Sequence, residues 1–229
     1  MTEAESQAGM ARVTQAFGLL LLVIFTSICF QLAAPSETWA RIVTIALQGG
    51  VLVLALQVSR THLLHNRSMT AAVLLAMTLG VVAVLVTAGN AAALAHAIAL
   101  GITVFAIAAI TLGIAAEARA HGGVNIRTVA GGLSIYLLLG MLFSTTYQLV
   151  DDLSSGGFFQ QAGDPTTAEF LYYSFITLTT TGFGDLTAAT DVGRSITVAE
   201  ALIGQIYLVT VVALIVANLR PQRRQDAST

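Results

Sequence analysis

The sequence predicts an all-α membrane protein: six transmembrane helices, with a re-entrant segment between the fifth and the sixth. Three observations lead there. The 229 residues are 56% hydrophobic and only 10% charged, and their mean hydropathy is +0.82, a balance that soluble domains of this length rarely show. Six apolar runs lie at about 16–34, 40–58, 70–88, 92–116, 128–150 and 191–218, each near or above the roughly 20 residues that a bilayer requires. Between the last two, residues 151–190 are too polar to span.

Taken in order, residues 1–12 are polar, carry Glu3, Glu5 and Arg12, and read as a short disordered tail. The run at 16–34 follows an acidic leader and exceeds a signal-peptide core, so it reads as a retained helix. Residues 13–118 form a four-helix peripheral unit and 119–219 a second unit. The charged, glycine-containing linker Glu117–Arg127 marks the boundary between them. Residues 220–229 read as a tail too short for a folded regulatory domain. Cys29 is the single cysteine, which excludes an intrachain disulfide and leaves it as a packing residue.

Orientation follows from arginine, because the chain has no lysine. Arg12, Arg60, Arg67, Arg119, Arg127, Arg220, Arg223 and Arg224 fall on the side of both termini, against Arg41 and Arg194 on the other. Eight against two puts both termini in the cytoplasm and the segment 151–190 toward the outside. A multi-pass protein of the cell membrane, surrounded by lipid, is the expectation. The alanine-rich, lysine-free composition fits a GC-rich bacterial genome.

The polar segment carries the chemistry. Asp164-Pro165-Thr166-Thr167-Ala168-Glu169 combines capping residues, a proline suited to a first turn, and capping-box spacing from Thr166 to Glu169. A helix from about Pro165 to Thr179 is roughly 20 Å long, too short to cross the bilayer. Its negative C-terminal end favours a cation near the membrane centre. It hands over to Thr180-Thr181-Gly182-Phe183-Gly184-Asp185.

That hexapeptide resembles the selectivity filter of potassium channels, usually written T-V-G-Y-G-D. From Asp164 to Asn218 the chain resembles the pore domain of prokaryotic potassium channels, as a six-transmembrane subunit with a single pore loop. A dehydrated K⁺ needs successive backbone carbonyls aimed at one axis. Glycines at 182 and 184 supply the positive φ that such an arrangement requires. The resemblance implies a homotetramer with four-fold symmetry, and K⁺ held by Thr180, Thr181, Gly182 and Phe183, with Gly184 completing the filter. No other cofactor and no nucleic-acid partner is expected.

Around the filter, Asp185 can anchor the outer end, and Tyr172 and Tyr173 can pack against it or act as interface aromatics. Asp151, Asp152 and Asp164 either make an acidic vestibule or form a solvated loop. Glu200 is costly inside a membrane helix and needs a partner. A hydroxyl such as Thr177 or Thr179 behind the filter is the favoured one, and a pathway-facing carboxylate the alternative. Gly204 reads equally as a gating hinge, which the resemblance implies, or as a site of close packing. Helical spacing from it puts Leu208, Val212 and Ile215 or Val216 on the cavity.

Thr181 stands at the usual valine position and Phe183 at the usual tyrosine, losing a tethering hydroxyl. Ile176 replaces an acidic residue that some bacterial pores place behind the filter. No Arg or Lys lies between Arg67 and Arg119, although voltage-gated relatives carry several in the fourth helix. Steep voltage gating needs several charges per subunit, so a conventional sensor is excluded. His96 in that helix reads as a buried neutral histidine or as a proton sensor. His62, His65 and His121 read as loop residues. A K⁺-selective, non-voltage-gated channel is the first expectation. A Na⁺/K⁺ channel and a K⁺ transporter subunit are the alternatives. No reactive constellation marks an enzyme.

Overall fold

A computed structural model of the chain describes residues 3–33, 38–59, 91–121, 126–161 and 163–218. Among the described residues the elements are α1 (Glu3–Ala33), α2 (Thr38–Ser59), α3 (Ala91–His121), α4 (Ile126–Leu153), the short α5 (Thr167–Leu178) and α6 (Asp191–Asn218). The expected span at 70–88, His62, His65 and the tail at 220–229 lie outside the described residues.

Among the described residues, three helices carry stretches long and apolar enough to cross a membrane: Ala92–Ala115, Thr128–Leu153 and Asp191–Leu214. The apolar parts of α1 and α2, Gly18–Ala33 and Ile42–Leu56, are shorter. One expectation changes at the start of the chain, where α1 begins at Glu3 and the disordered tail is absent from residue 3 onward. Its first turns are rich in Glu, Ala, Gln and Met, good helix formers that run without a breaker into the apolar stretch. The linker also shrinks, because α3 continues to His121 and α4 starts at Ile126.

The two sequence units share one core. Leu20, Ile24 and Ile28 of α1, with Leu52 and Leu56 of α2 and Ile102, Ala106 and Ile110 of α3, pack with Leu138 and Met141 of α4 and Leu171 of α5. Helix α1 therefore touches both α4 and α5, and α4 packs on α3, α5 and α6. A second, aromatic core holds Tyr147, Phe158, Phe159, Phe170 and Tyr173 with Ile176 and Ala188. Its rings pack edge to face, tilted or, for Phe159 and Phe170, stacked, with Tyr147 and Phe158 centroids 4.7 Å apart and Tyr147 and Tyr173 5.2 Å apart, geometries that favour aromatic contact beyond simple burial.

Helix α6 runs unbroken through Gly204, which is buried against the end of α5. A methyl group there would stand 2.4 Å from the carbonyl oxygen of Leu178 and 2.8 Å from its Cδ1. The obstacle is backbone, so it cannot swing aside, and glycine is required for packing. This is the packing reading of Gly204. Gly204→Ala is expected to destabilise the fold by about 1–3 kcal/mol through overpacking. A lowered thermal unfolding midpoint of the detergent-solubilised protein is the check, and an unchanged midpoint would contradict the close approach.

Candidate functional site

Helix α5 starts where its capping residues direct. Thr166 is the N-cap, its Oγ1 accepting from the Glu169 N–H at 3.2 Å, while the Glu169 carboxylate accepts from the Thr166 N–H at 2.7 Å. This is the reciprocal capping box expected from the spacing. Pro165 precedes the cap and does not open the first turn. The helix ends at Leu178, with Thr179 as its C-cap donating its N–H to Phe175.

Beyond the cap the chain takes an unusual course. Thr180 has φ 57°, Gly182 φ 50° and Gly184 φ 79°, so every second residue is left-handed. Glycine accepts this readily, whereas Thr180 does so at a cost of roughly 1–2 kcal/mol. The amides account for the geometry. Thr180 N–H donates to the Thr177 carbonyl at 2.8 Å, and Thr181 and Gly182 N–H both donate to the Ile176 carbonyl, at 2.8 and 3.0 Å. Three successive donors are thus turned back onto the last turn of α5. None of the carbonyls from Thr180 to Gly184 accepts a hydrogen bond from the described residues. Residues 180–185 are exposed along the surface of the single chain.

Side chains brace this segment from behind. Thr179 Oγ1 donates to the Phe175 carbonyl at 2.7 Å, so the 2.9 Å contact with Thr181 Oγ1 takes its proton from Thr181. Tyr172 donates to Asp185 Oδ2 at 2.8 Å, and its ring lies parallel to that of Phe183 with centroids 6.5 Å apart. The hydrogen bond to Asp185 raises the Tyr172 phenol above its ordinary value, so it remains a protonated donor at neutral pH. Tyr173 does not reach the segment. Its hydroxyl pairs with Thr197 of α6 at 2.9 Å and its ring joins the aromatic core.

Glu200 is fully buried and has neither of the partners expected from the sequence. Its carboxyl oxygens meet Tyr147 of α4 and Ser174 of α5. Ser174 lies on the face of α5 turned toward α6, whereas Thr179 is already committed to Phe175. Thr177 contributes through its backbone carbonyl. At the C-terminal end of α5, Tyr136 donates to the Leu178 carbonyl at 3.2 Å and stacks on Tyr207 with centroids 5.9 Å apart. Tyr207 in turn donates to the Gly132 carbonyl at 2.6 Å. Leu208 and Val212 are exposed on α6, and the side chains of Ile215 and Val216 lie outside the described residues.

On the side where α4 ends and α6 begins, residues 154–161 fold onto 186–190. Gln160 N–H donates to the Thr187 carbonyl and Ala189 N–H to the Phe158 carbonyl, both at 2.8 Å, and Arg194 Nε holds the Ala188 carbonyl at 3.2 Å. Asp151 Oδ1 accepts from the Phe158 N–H at 2.6 Å, so this carboxylate anchors the loop. Asp152 Oδ2 lies 2.6 Å from Nδ1 of His96. His96 is therefore neither deeply buried nor unpaired, because α3 packs on α4 and brings it to this carboxylate. Asp164 is exposed.

Sequence reasoning missed Tyr147, Ser174, Tyr136, Thr197 and the His96–Asp152 pair. A signal existed for the first two: a lone carboxylate in an apolar helix calls for hydroxyl partners on neighbouring helices. The choice among many hydroxyls needed the packing.

Residues 133–220 match the ion channel family model Ion_trans_2, less than half of the chain. The match covers α4 from Leu133 onward, α5, the segment after it and α6, and it indicates an ion channel. No curated protein matches the chain.

Loss of the Tyr172 hydroxyl removes the tie to Asp185 while keeping the ring against Phe183. Tyr172→Phe is expected to shorten the open lifetime of single-channel currents several-fold, since one hydrogen bond to a charged group is lost. Unchanged lifetimes would show that the tie does not brace the segment.

Proposed function

We propose that this chain is one subunit of a homotetrameric potassium channel that conducts K⁺ passively and has no intrinsic voltage sensor. One observation carries the reading: the N–H groups of Thr180, Thr181 and Gly182 are turned back onto α5, leaving the neighbouring carbonyls without a donor among the described residues. Carbonyl oxygens released in series are what a dehydrated cation needs in place of its water shell.

Each part then has a role. Oxygens of Thr180, Thr181, Gly182 and Phe183 form the cation sites, and Gly184 and Asp185 close the outer end. Helix α5 enters the membrane partway, tolerable because the irregular backbone beyond it lines a wet path. Its C-terminal dipole faces the cation. One chain supplies only one side of such a cage, so four are needed around the axis. The uncovered face of α6, with Leu202, Ile206, Val209 and Val212 exposed, supports association with copies of the chain. Gating charge is lacking, because α3 carries no Arg or Lys before Arg119. The ion channel match over 133–220 agrees with this assignment of α4–α6. In this reading the protein sits in the cell membrane with both termini in the cytoplasm.

A mixed Na⁺/K⁺ channel is the competing reading, favoured by the hydroxyl of Thr181 and by Phe183, which lacks one. Voltage ramps on the purified protein in planar bilayers under a K⁺/Na⁺ gradient separate the two. The expected result is reversal near the K⁺ equilibrium potential, a shallow conductance–voltage relation, and no current from Gly182→Ala, whose φ of 50° disfavours a side chain. Reversal near zero would support mixed selectivity, and a steep saturating relation would overturn the absence of a sensor.

A further inference from the structure

The carboxyl group of Glu200 sits where α4, α5 and α6 meet, and its contacts constrain how many protons they hold. One oxygen, Oε2, accepts from the hydroxyl of Tyr147. The other, Oε1, contacts Ser174 Oγ. Ser174 Oγ also lies 2.7 Å from the carbonyl oxygen of Gly140. A serine hydroxyl has one proton to give. If Ser174 gives it to an ionised Glu200, its oxygen faces the Gly140 carbonyl with no hydrogen between them. Two bare acceptors in contact in a dry interior repel each other. If Ser174 gives its proton to Gly140, the contact with Glu200 needs a proton from the carboxyl group. Only this second arrangement puts a hydrogen in all three contacts.

Charge leads to the same assignment. Among the described residues no basic side chain pairs with Glu200. The polar groups that meet its carboxyl are the neutral hydroxyls of Tyr147 and Ser174. The next phenol, Tyr173, is engaged with Thr197. An ionised carboxylate without a cation in a membrane helix is expensive, and the neutral acid avoids most of that cost.

We propose that Glu200 is a neutral carboxylic acid that donates to Ser174, forming a relay from Glu200 through Ser174 to the Gly140 carbonyl that fixes α5 between α4 and α6. Glu200 is a positioning residue. It acts through Ser174, two residues before the Ile176 carbonyl that holds the amides of Thr181 and Gly182. The protonation stands whether or not the pore conducts K⁺, and only its effect on current rests on the potassium-channel reading.

Infrared spectroscopy of the full-length protein in lipid bilayers at neutral pH, with carboxyl-¹³C glutamate incorporated, tests this. The wild type is expected to show the carbonyl stretch of a protonated acid, shifted by the label and lost in Glu200→Gln. Glutamine can donate from its amide nitrogen to Ser174 and accept from Tyr147, as the neutral acid does. That variant is therefore expected to assemble within about twofold of wild-type yield, whereas Glu200→Ala, which takes the acceptor from the Tyr147 hydroxyl and the donor from Ser174 Oγ, falls roughly tenfold. Absence of a label-sensitive acid band in the wild type would overturn the inference, as would a glutamine variant that assembles as poorly as the alanine one. A protein that shows the band but does not reverse near the K⁺ potential keeps this inference and loses the functional reading.

Discussion

The carbonyl of Ile176 accepts two amides, from Thr181 and Gly182, and the rest of the structure depends on that. An extended strand would alternate its N–H groups from side to side, whereas here three successive N–H groups turn back onto α5. The left-handed conformation of Thr180 is the cost of the arrangement. A strained segment persists only if its support is rigid, so α5 must not move. It is fixed at its start by the capping box, at mid-length by Ser174 and Glu200, and at its end by Tyr136 and the close approach of Gly204.

The peripheral helices bear on the same element. Because α1 packs on α5 through Leu171, α1–α3 are not an appendage joined by a flexible linker. At the end of α4 nearest the loop 154–161, His96 of α3 meets Asp152, and the adjacent Asp151 anchors the loop that clamps residues 186–190. A continuous run of contacts therefore joins α3 to the chain just beyond residues 180–185.

Much of this was legible in the residues. The apolar runs gave α3, α4 and α6, the Thr166–Glu169 spacing gave the start of α5, and the two glycines marked the left-handed positions. Local rules govern those features, and local rules can be read from sequence. Partner choice was not legible. Glu200 needed a hydroxyl, but only the packing of three helices selects Ser174 and Tyr147 over Thr177 or Thr179. Tyr172 and Tyr173 are adjacent, yet helical geometry sends one to Asp185 and the other to Thr197. The boundary drawn at Glu117–Arg127 followed composition, whereas the hydrophobic core continues across it.

The central claim is that the carbonyls released by the back-turned amides are the cation ligands. Solid-state NMR of the protein in lipid bilayers, with ¹³C at the carbonyls of Thr180, Thr181 and Gly182, reports on those atoms directly. Replacing Na⁺ with K⁺ is predicted to shift these resonances saturably while a labelled carbonyl in α3 stays fixed. Resonances of these three carbonyls indifferent to the cation would contradict the account.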